Sequence, residues 1–195
     1  PQNKVYLENV KISSEEGTAA IERMIKLEDK TIKYHIMANC QSGLIGHYMR
    51  VTAISEIDQW PSVYVLGAEG KYKVKQANDE AEVIIYGIFN DYSDLYWDPP
   101  ANDIIFEEKL RVVLSRWISE NKKICLIVPG ENLEDHAYSG INGVTRERFN
   151  SFNMICKSLC EEYNIDYLNL ENFTSNLSEI SDARHYPRDT WKELG

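Results

Sequence analysis

The stretch "TIKYHIMANCQSGLIGHYM", Thr31 to Met49, joins a β-branched apolar run, a polar turn and a second apolar pattern. "IKYHIMA" reads as a buried strand. "GLIGHYMR" reads as a short helix with Leu44, Ile45, Tyr48 and Met49 on one side. Between them lies Asn39-Cys40-Gln41-Ser42. That cluster is either ordinary strand-to-helix punctuation or a nucleophile held at the mouth of a sheet.

Downstream, the same alternation recurs. "SVYVLGA" after Pro61, "EVIIYGIF" (Glu82 to Phe89), "KICLIVPG" and "IDYLNL" read as further strands. Phe106, Leu110, Val113, Leu114 and Trp117 recur at helical spacing in "FEEKLRVVLSRWISE". Phe149, Phe152, Cys156, Leu159, Cys160 and Tyr163 make a second stripe in "TRERFNSFNMICKSLCEEY". Continuous apolar strands separated by amphipathic helices predict an α/β fold of three layers, α/β/α, around a mostly parallel five-stranded sheet. The link "EGKYKVKQANDEA" is only weakly helical, so a short or irregular crossover is expected there. Residues 1–30 read as an N-terminal extension, a strand or hairpin plus a helix, and residues 31–195 as the α/β domain.

Composition narrows the function. A chain of 195 residues supports one domain with a real core. Its formal charge of −10 argues against a nucleic-acid partner, since phosphate contact needs clustered cations. No apolar run is long enough to span a bilayer, and no signal-peptide pattern opens the chain. Cys40, Cys125, Cys156 and Cys160 form no CxxC pair and no zinc-like spacing with histidine, so no metal is expected. Unpaired cysteines favour a reducing, cytoplasmic location. Nothing in the sequence sets an oligomeric state.

In an open parallel sheet, ligands bind outside the carboxyl ends of the strands. Asn39-Cys40-Gln41 follows the first predicted strand and Asn90-Asp91 the third. "GENLEDHAYSG" follows the fourth, and "SDARHYP" follows the fifth after a loop. Every conspicuous polar cluster therefore falls at one end of the sheet. Asp182 precedes His185 by three residues, so one turn brings its carboxylate to the imidazole, fixing the tautomer and leaving the other ring nitrogen as a base. Cys40 heads a short helix, where backbone N–H groups favour a thiolate. The N–H groups of Cys40 and Gln41 and the Asn90 amide are candidate oxyanion donors.

This order of blocks resembles the SGNH (GDSL-type) hydrolases. Ala38-Asn39-Cys40 stands at the Gly-Asp-Ser block, Gly87-Ile88-Phe89-Asn90-Asp91 at the Gly-x-Asn-Asp block, and Asp182-Ala183-Arg184-His185 at the final Asp-x-x-His block. The nucleophile position holds Cys rather than Ser, and one extra residue separates Gly87 from Asn90. Ala38-Asn39-Cys40-Gln41 is also similar to the Gly-Asn-Cys-Gln hallmark of the WcbI-type enzymes of capsular polysaccharide biosynthesis, with Ala in place of Gly. That resemblance implies an SGNH-like (flavodoxin-like) fold and O-acylation of a carbohydrate or polysaccharide hydroxyl. It also implies coenzyme A or acetyl-CoA as acyl donor.

The resulting site has Cys40 as nucleophile, His185 as base and Asp182 as its orienting carboxylate. Asn39, Ser42, Asp91, His136 and Arg146 are candidate substrate contacts. Most of these have a plainer reading. Free cysteine often fills a buried turn, and Ser42 suits a helix cap. Asn90-Asp91 is a good turn signal, Asp182 with His185 can be a surface ion pair, and Arg146 can be a solvated helix start. Acyl transfer from acyl-CoA to a sugar is the leading expectation. A carbohydrate esterase and a catalytically inert glycan- or protein-binding domain are the alternatives.

Overall fold

The computed structural model describes residues 32–48, 54–58, 61–66, 80–139, 143–180 and 182–194, with Ile54–Asp58 described by its backbone. The expected N-terminal extension and most of the "EGKYKVKQANDEA" link lie outside these residues. All of them belong to one unit, Ile32–Gly195.

Five strands among the described residues pair in parallel: β1 (Tyr34–Met37), β2 (Ile54–Asp58), β3 (Val83–Gly87), β4 (Lys123–Val128) and β5 (Asp166–Asn169). Their order is β2-β1-β3-β4-β5. The chain steps outward from β1 to β2, then crosses back to β3 and proceeds the other way. Right-handed crossovers therefore place the β1–β2 helix on the face opposite the β3–β4 and β4–β5 helices. The carboxyl ends of β1 and β3 flank the point where direction reverses, which is where such sheets open a crevice.

The helices are α1 (Ser42–Tyr48), α2 (Val63–Leu66), α3 (Asp103–Ser119), α4 (Arg146–Tyr163) and α5 (Arg188–Leu194). Asn102 caps α3 by accepting from Ile105 N–H, and Thr145 caps α4 by accepting from Arg148 N–H. Both long helices end at an asparagine near φ +55, Asn121 just past α3 (φ 57) and Asn164 after α4 (φ 54). The predicted stripe of α3 is its buried face, and α4 buries its stripe together with Asn153, with Tyr163 partly covered. The two helices meet through Phe106 and Phe152, stacked with centroids 3.9 Å apart, and Phe149 stacks on Tyr92 at 3.8 Å. Phe152→Ala is expected to lower unfolding free energy by about 3–5 kcal/mol, the usual cost of deleting a core ring. Urea titration checks this, and a loss under about 1 kcal/mol would rule out tight packing there.

One predicted strand is a helix. Val63–Leu66, inside "SVYVLGA", forms α2, and the second strand lies earlier, at Ile54–Asp58. Local capping overrides the β-propensity of Val63 and Val65. Asp91 accepts from Val63 N–H at 2.7 Å, and Ser62 Oγ accepts from Val65 N–H at 3.4 Å. Among the described residues the true strand, "ISEID", pairs only with β1, and its polar content hid it.

Candidate active site

The site begins at the carboxyl end of β1. Ala38 is fully buried, and Gly87 at the end of β3 leaves it room: a Cβ there would lie 3.0 Å from the Ala38 Cβ and 2.3 Å from the Phe89 ring. Asn39 then organises the turn. Its Oδ1 accepts from Gln41 N–H at 3.0 Å, and its carbonyl accepts from Ser42 N–H at 3.1 Å and Ser42 Oγ at 2.7 Å. These bonds push Cys40 outward, so it is exposed between two buried neighbours, Asn39 and Gln41.

Facing it is the segment Asp182–Tyr186, closed by a short antiparallel bridge between Asp182 and His185. Three consecutive residues of one segment meet three of the other. Asn39 Nδ2 donates to the Arg184 carbonyl. Cys40 Sγ lies 3.1 Å from His185 Nε2. The Gln41 amide grips the Tyr186 backbone at both groups: Nε2 donates to the carbonyl at 2.6 Å, and Oε1 accepts from its N–H at 2.9 Å. The Cys–His contact is thus held between two clamps built from the residues on either side.

On its far side the imidazole meets Asp182, with Nδ1 and Oδ2 3.0 Å apart. Burial pushes the Asp182 carboxyl up, but hydrogen bonds from His185 and Arg184 N–H and the charges beside it outweigh burial, and the carboxyl sits below its ordinary value. It is ionised at neutral pH and can only accept, so this contact places a proton on His185 Nδ1 and turns Nε2 toward the Cys40 thiol. The segment is tied elsewhere too. Tyr186 Oη accepts from Gly130 N–H at 2.7 Å, and Ala183 N–H donates to the Ala137 carbonyl at 2.9 Å.

Several expected ligands of the substrate have other work. The Asn90 amide, expected as an oxyanion donor, is buried and donates to the Ala38 and Pro61 carbonyls at 3.2 and 3.1 Å. The Gln41 N–H is spent on Asn39. Of the expected donors, the Cys40 N–H alone has no acceptor among the described residues. Ser42 is buried and points back to the Asn39 carbonyl rather than capping α1. Asp91, expected near substrate, is buried and accepts from Tyr86 Oη and Val63 N–H, both at 2.7 Å. His136 Nε2 lies against the Ile180 carbonyl at 2.9 Å, and Arg146 pairs with Asp135 at 2.6 Å while lying over the Tyr138 ring. The side chains of Gln41 and Tyr186, and Arg184, were not singled out by the sequence; no motif marks a clamp between segments so far apart.

Burial pushes the Asp91 carboxyl up to about 7, its hydrogen bonds offsetting only part of the shift. A raised folded value means the native state holds a proton that the unfolded chain gives up, so this group favours folding below pH 4 and loses that contribution as pH rises to about 7. Asp91→Asn keeps an acceptor without the charge. Its melting temperature relative to the parent should therefore improve between pH 5 and pH 8. An unchanged difference across those two melts would rule the shift out.

The sequence matches no family model, and no curated protein is significantly similar to it. Solved structures do share its fold. An acetyl xylan esterase (AlAXEase) is 16% identical, with 84% of this chain and 96% of that chain covered and a TM-score of 0.59. A GDSL-like lipase from Bacteroides thetaiotaomicron is 10% identical over 85% of each chain, with a TM-score of 0.61. A carbohydrate acetylesterase from Sinorhizobium meliloti is 10% identical over 85% of this chain and 94% of that chain, with a TM-score of 0.54. The fold is therefore that of the SGNH (GDSL-type) esterases and lipases.

Proposed function

We propose that this protein hydrolyses acyl esters of carbohydrates through Cys40, His185 and Asp182. The observation that carries the reading is the 3.1 Å contact between Cys40 Sγ and a His185 ring whose other nitrogen lies 3.0 Å from Asp182. The crevice position and the esterases that share the fold agree with it. His185 takes the thiol proton as Sγ attacks the acyl carbonyl. The oxyanion forms against the Cys40 N–H. Collapse breaks the ester C–O bond as His185 returns the proton to the leaving sugar oxygen, leaving a thioester on Cys40. Water then gives a proton to His185 and attacks the thioester; the C–S bond breaks as His185 returns that proton to Sγ, and the carboxylic acid leaves and ionises in solvent. Acetate release from acetylated xylan and from p-nitrophenyl acetate by purified protein tests the reading; no release above the uncatalysed rate from either would end it.

A second reading rests on the identity of the nucleophile. A thiolate leaves a tetrahedral intermediate more readily than an alkoxide does, so Cys40 forms its acyl-enzyme most easily from a thioester, where thiol replaces thiol. With acetyl-CoA as donor and a sugar hydroxyl as acceptor, the same residues would run acyl transfer. Coenzyme A release that depends on added sugar distinguishes it from hydrolysis.

A further inference from the structure

Arg184 lies between Asp182 and His185, and its side chain is only 15% exposed. Its Nε is buried with no hydrogen-bond partner among the described residues, and none of them accepts from its terminal nitrogens. The nearest carboxylate oxygen, Asp182 Oδ1, is 3.7 Å away, beyond hydrogen-bond reach, and already accepts from Arg184 N–H at 2.8 Å. The other Asp182 oxygen serves His185.

Arg148 shows what this chain does with a comparably buried guanidinium. It is 18% exposed and donates to Asp94 Oδ1 at 2.7 Å and to the carbonyls of Tyr92 and Ala101 at 3.2 and 3.0 Å. Arg111 and Arg146, both more exposed, are also hydrogen-bonded to carboxylates. A guanidinium always carries its charge and offers five N–H donors in a fork that fits carboxylate or phosphate. Leaving the Nε donor both desolvated and unmatched is costly.

We infer that Arg184 is a substrate-binding residue and that the substrate carries an anionic oxygen group, carboxylate or phosphate, close to the acyl group reacting at Cys40. The inference rests on the reading of Cys40 and His185 given above and adds the substrate's charge to it. The clamp on the Arg184 carbonyl by Asn39 holds this residue's backbone beside the Cys–His contact, within side-chain reach of a molecule reacting at Cys40. In a chain of net charge −10, such an anion needs a local cation to be retained.

Cys40 itself supplies the test, because the other thiols are poor competitors. Burial pushes Cys125 up to about 11 and Cys160 up to about 12, and raises Cys156 as well. Iodoacetate and iodoacetamide differ chiefly in the negative charge. In phosphate-free buffer, iodoacetate should alkylate Cys40 about tenfold faster than iodoacetamide in the parent protein. Arg184→Gln should reverse that order, and Arg184→Lys should fall between. Glucuronate or glucose 6-phosphate should protect Cys40 where glucose does not, and which of the two protects separates carboxylate from phosphate. Faster reaction with iodoacetamide in the parent, equal protection by glucose, or equal slowing of both reagents in Arg184→Gln would overturn the inference; the last would make Arg184 a support for the loop alone. Alkylation needs no turnover, so a charge preference in a protein that releases no acetate would sink the esterase reading and leave this one standing.

Discussion

With Cys40 replaced by alanine, acetate release from acetylated esters falls by about three orders of magnitude or more, and His185→Ala falls by a similar factor. The double variant falls no further. In the proposed mechanism nucleophile and base act as one unit, and removing either leaves nothing for the other to assist. Asp182→Asn tests the remaining member differently. Its carboxamide can keep a contact with the ring, but it no longer requires the proton to sit on Nδ1, and its Nδ2 can donate to that nitrogen instead. A proton then moves to Nε2, the atom 3.1 Å from Cys40, and the base is lost with the geometry intact. Its turnover should drop about 10²–10⁴-fold, with little change in KM, because substrate contacts are untouched. Turnover within a few-fold of the parent in Cys40→Ala would remove this residue from the chemistry altogether.

Why these residues could be named from sequence, and others could not, follows from the range over which each signal acts. Strand β3 and helices α3 and α4 were legible because their apolar periodicity is local and their cores are large. Strand β2 was missed because an edge strand needs no continuous apolar run, while Val63 and Val65 in α2 looked more strand-like than the true strand. What made that segment helical is a buried carboxylate, Asp91, arriving from the end of β3. The pairing of Cys40 with His185 could be suggested because each follows a strand, and parallel strands bring such ends together. The fate of Asn90 was not legible. An asparagine at a strand end reads equally well as an oxyanion donor and as a cross-brace, and only the positions of the Ala38 and Pro61 carbonyls decide for the brace.

Gln41→Ala should lower kcat by about two orders of magnitude while leaving KM within a few-fold, although Gln41 has no part in the bond-making steps. The reason lies in how the base is held. His185 sits in a loop whose backbone is gripped at Arg184 by Asn39 and at Tyr186 by Gln41, so the reacting nitrogen is placed by its neighbours. Removing the Gln41 amide leaves a buried N–H and a buried carbonyl of Tyr186 unpaired, at a cost of about 1–3 kcal/mol each, and the loop relaxes by moving. Gln41→Glu is the sharper variant. One carboxylate oxygen still accepts from Tyr186 N–H, but the other now faces the Tyr186 carbonyl, so acceptor meets acceptor where a donor stood. If the amide works as a two-way clamp, the glutamate variant is no better than the alanine one in kcat. If Gln41→Glu instead retains full kcat, the Tyr186–Gly130 and Ala183–Ala137 bonds suffice to place His185, and the polar residues flanking Cys40 serve the turn rather than the base.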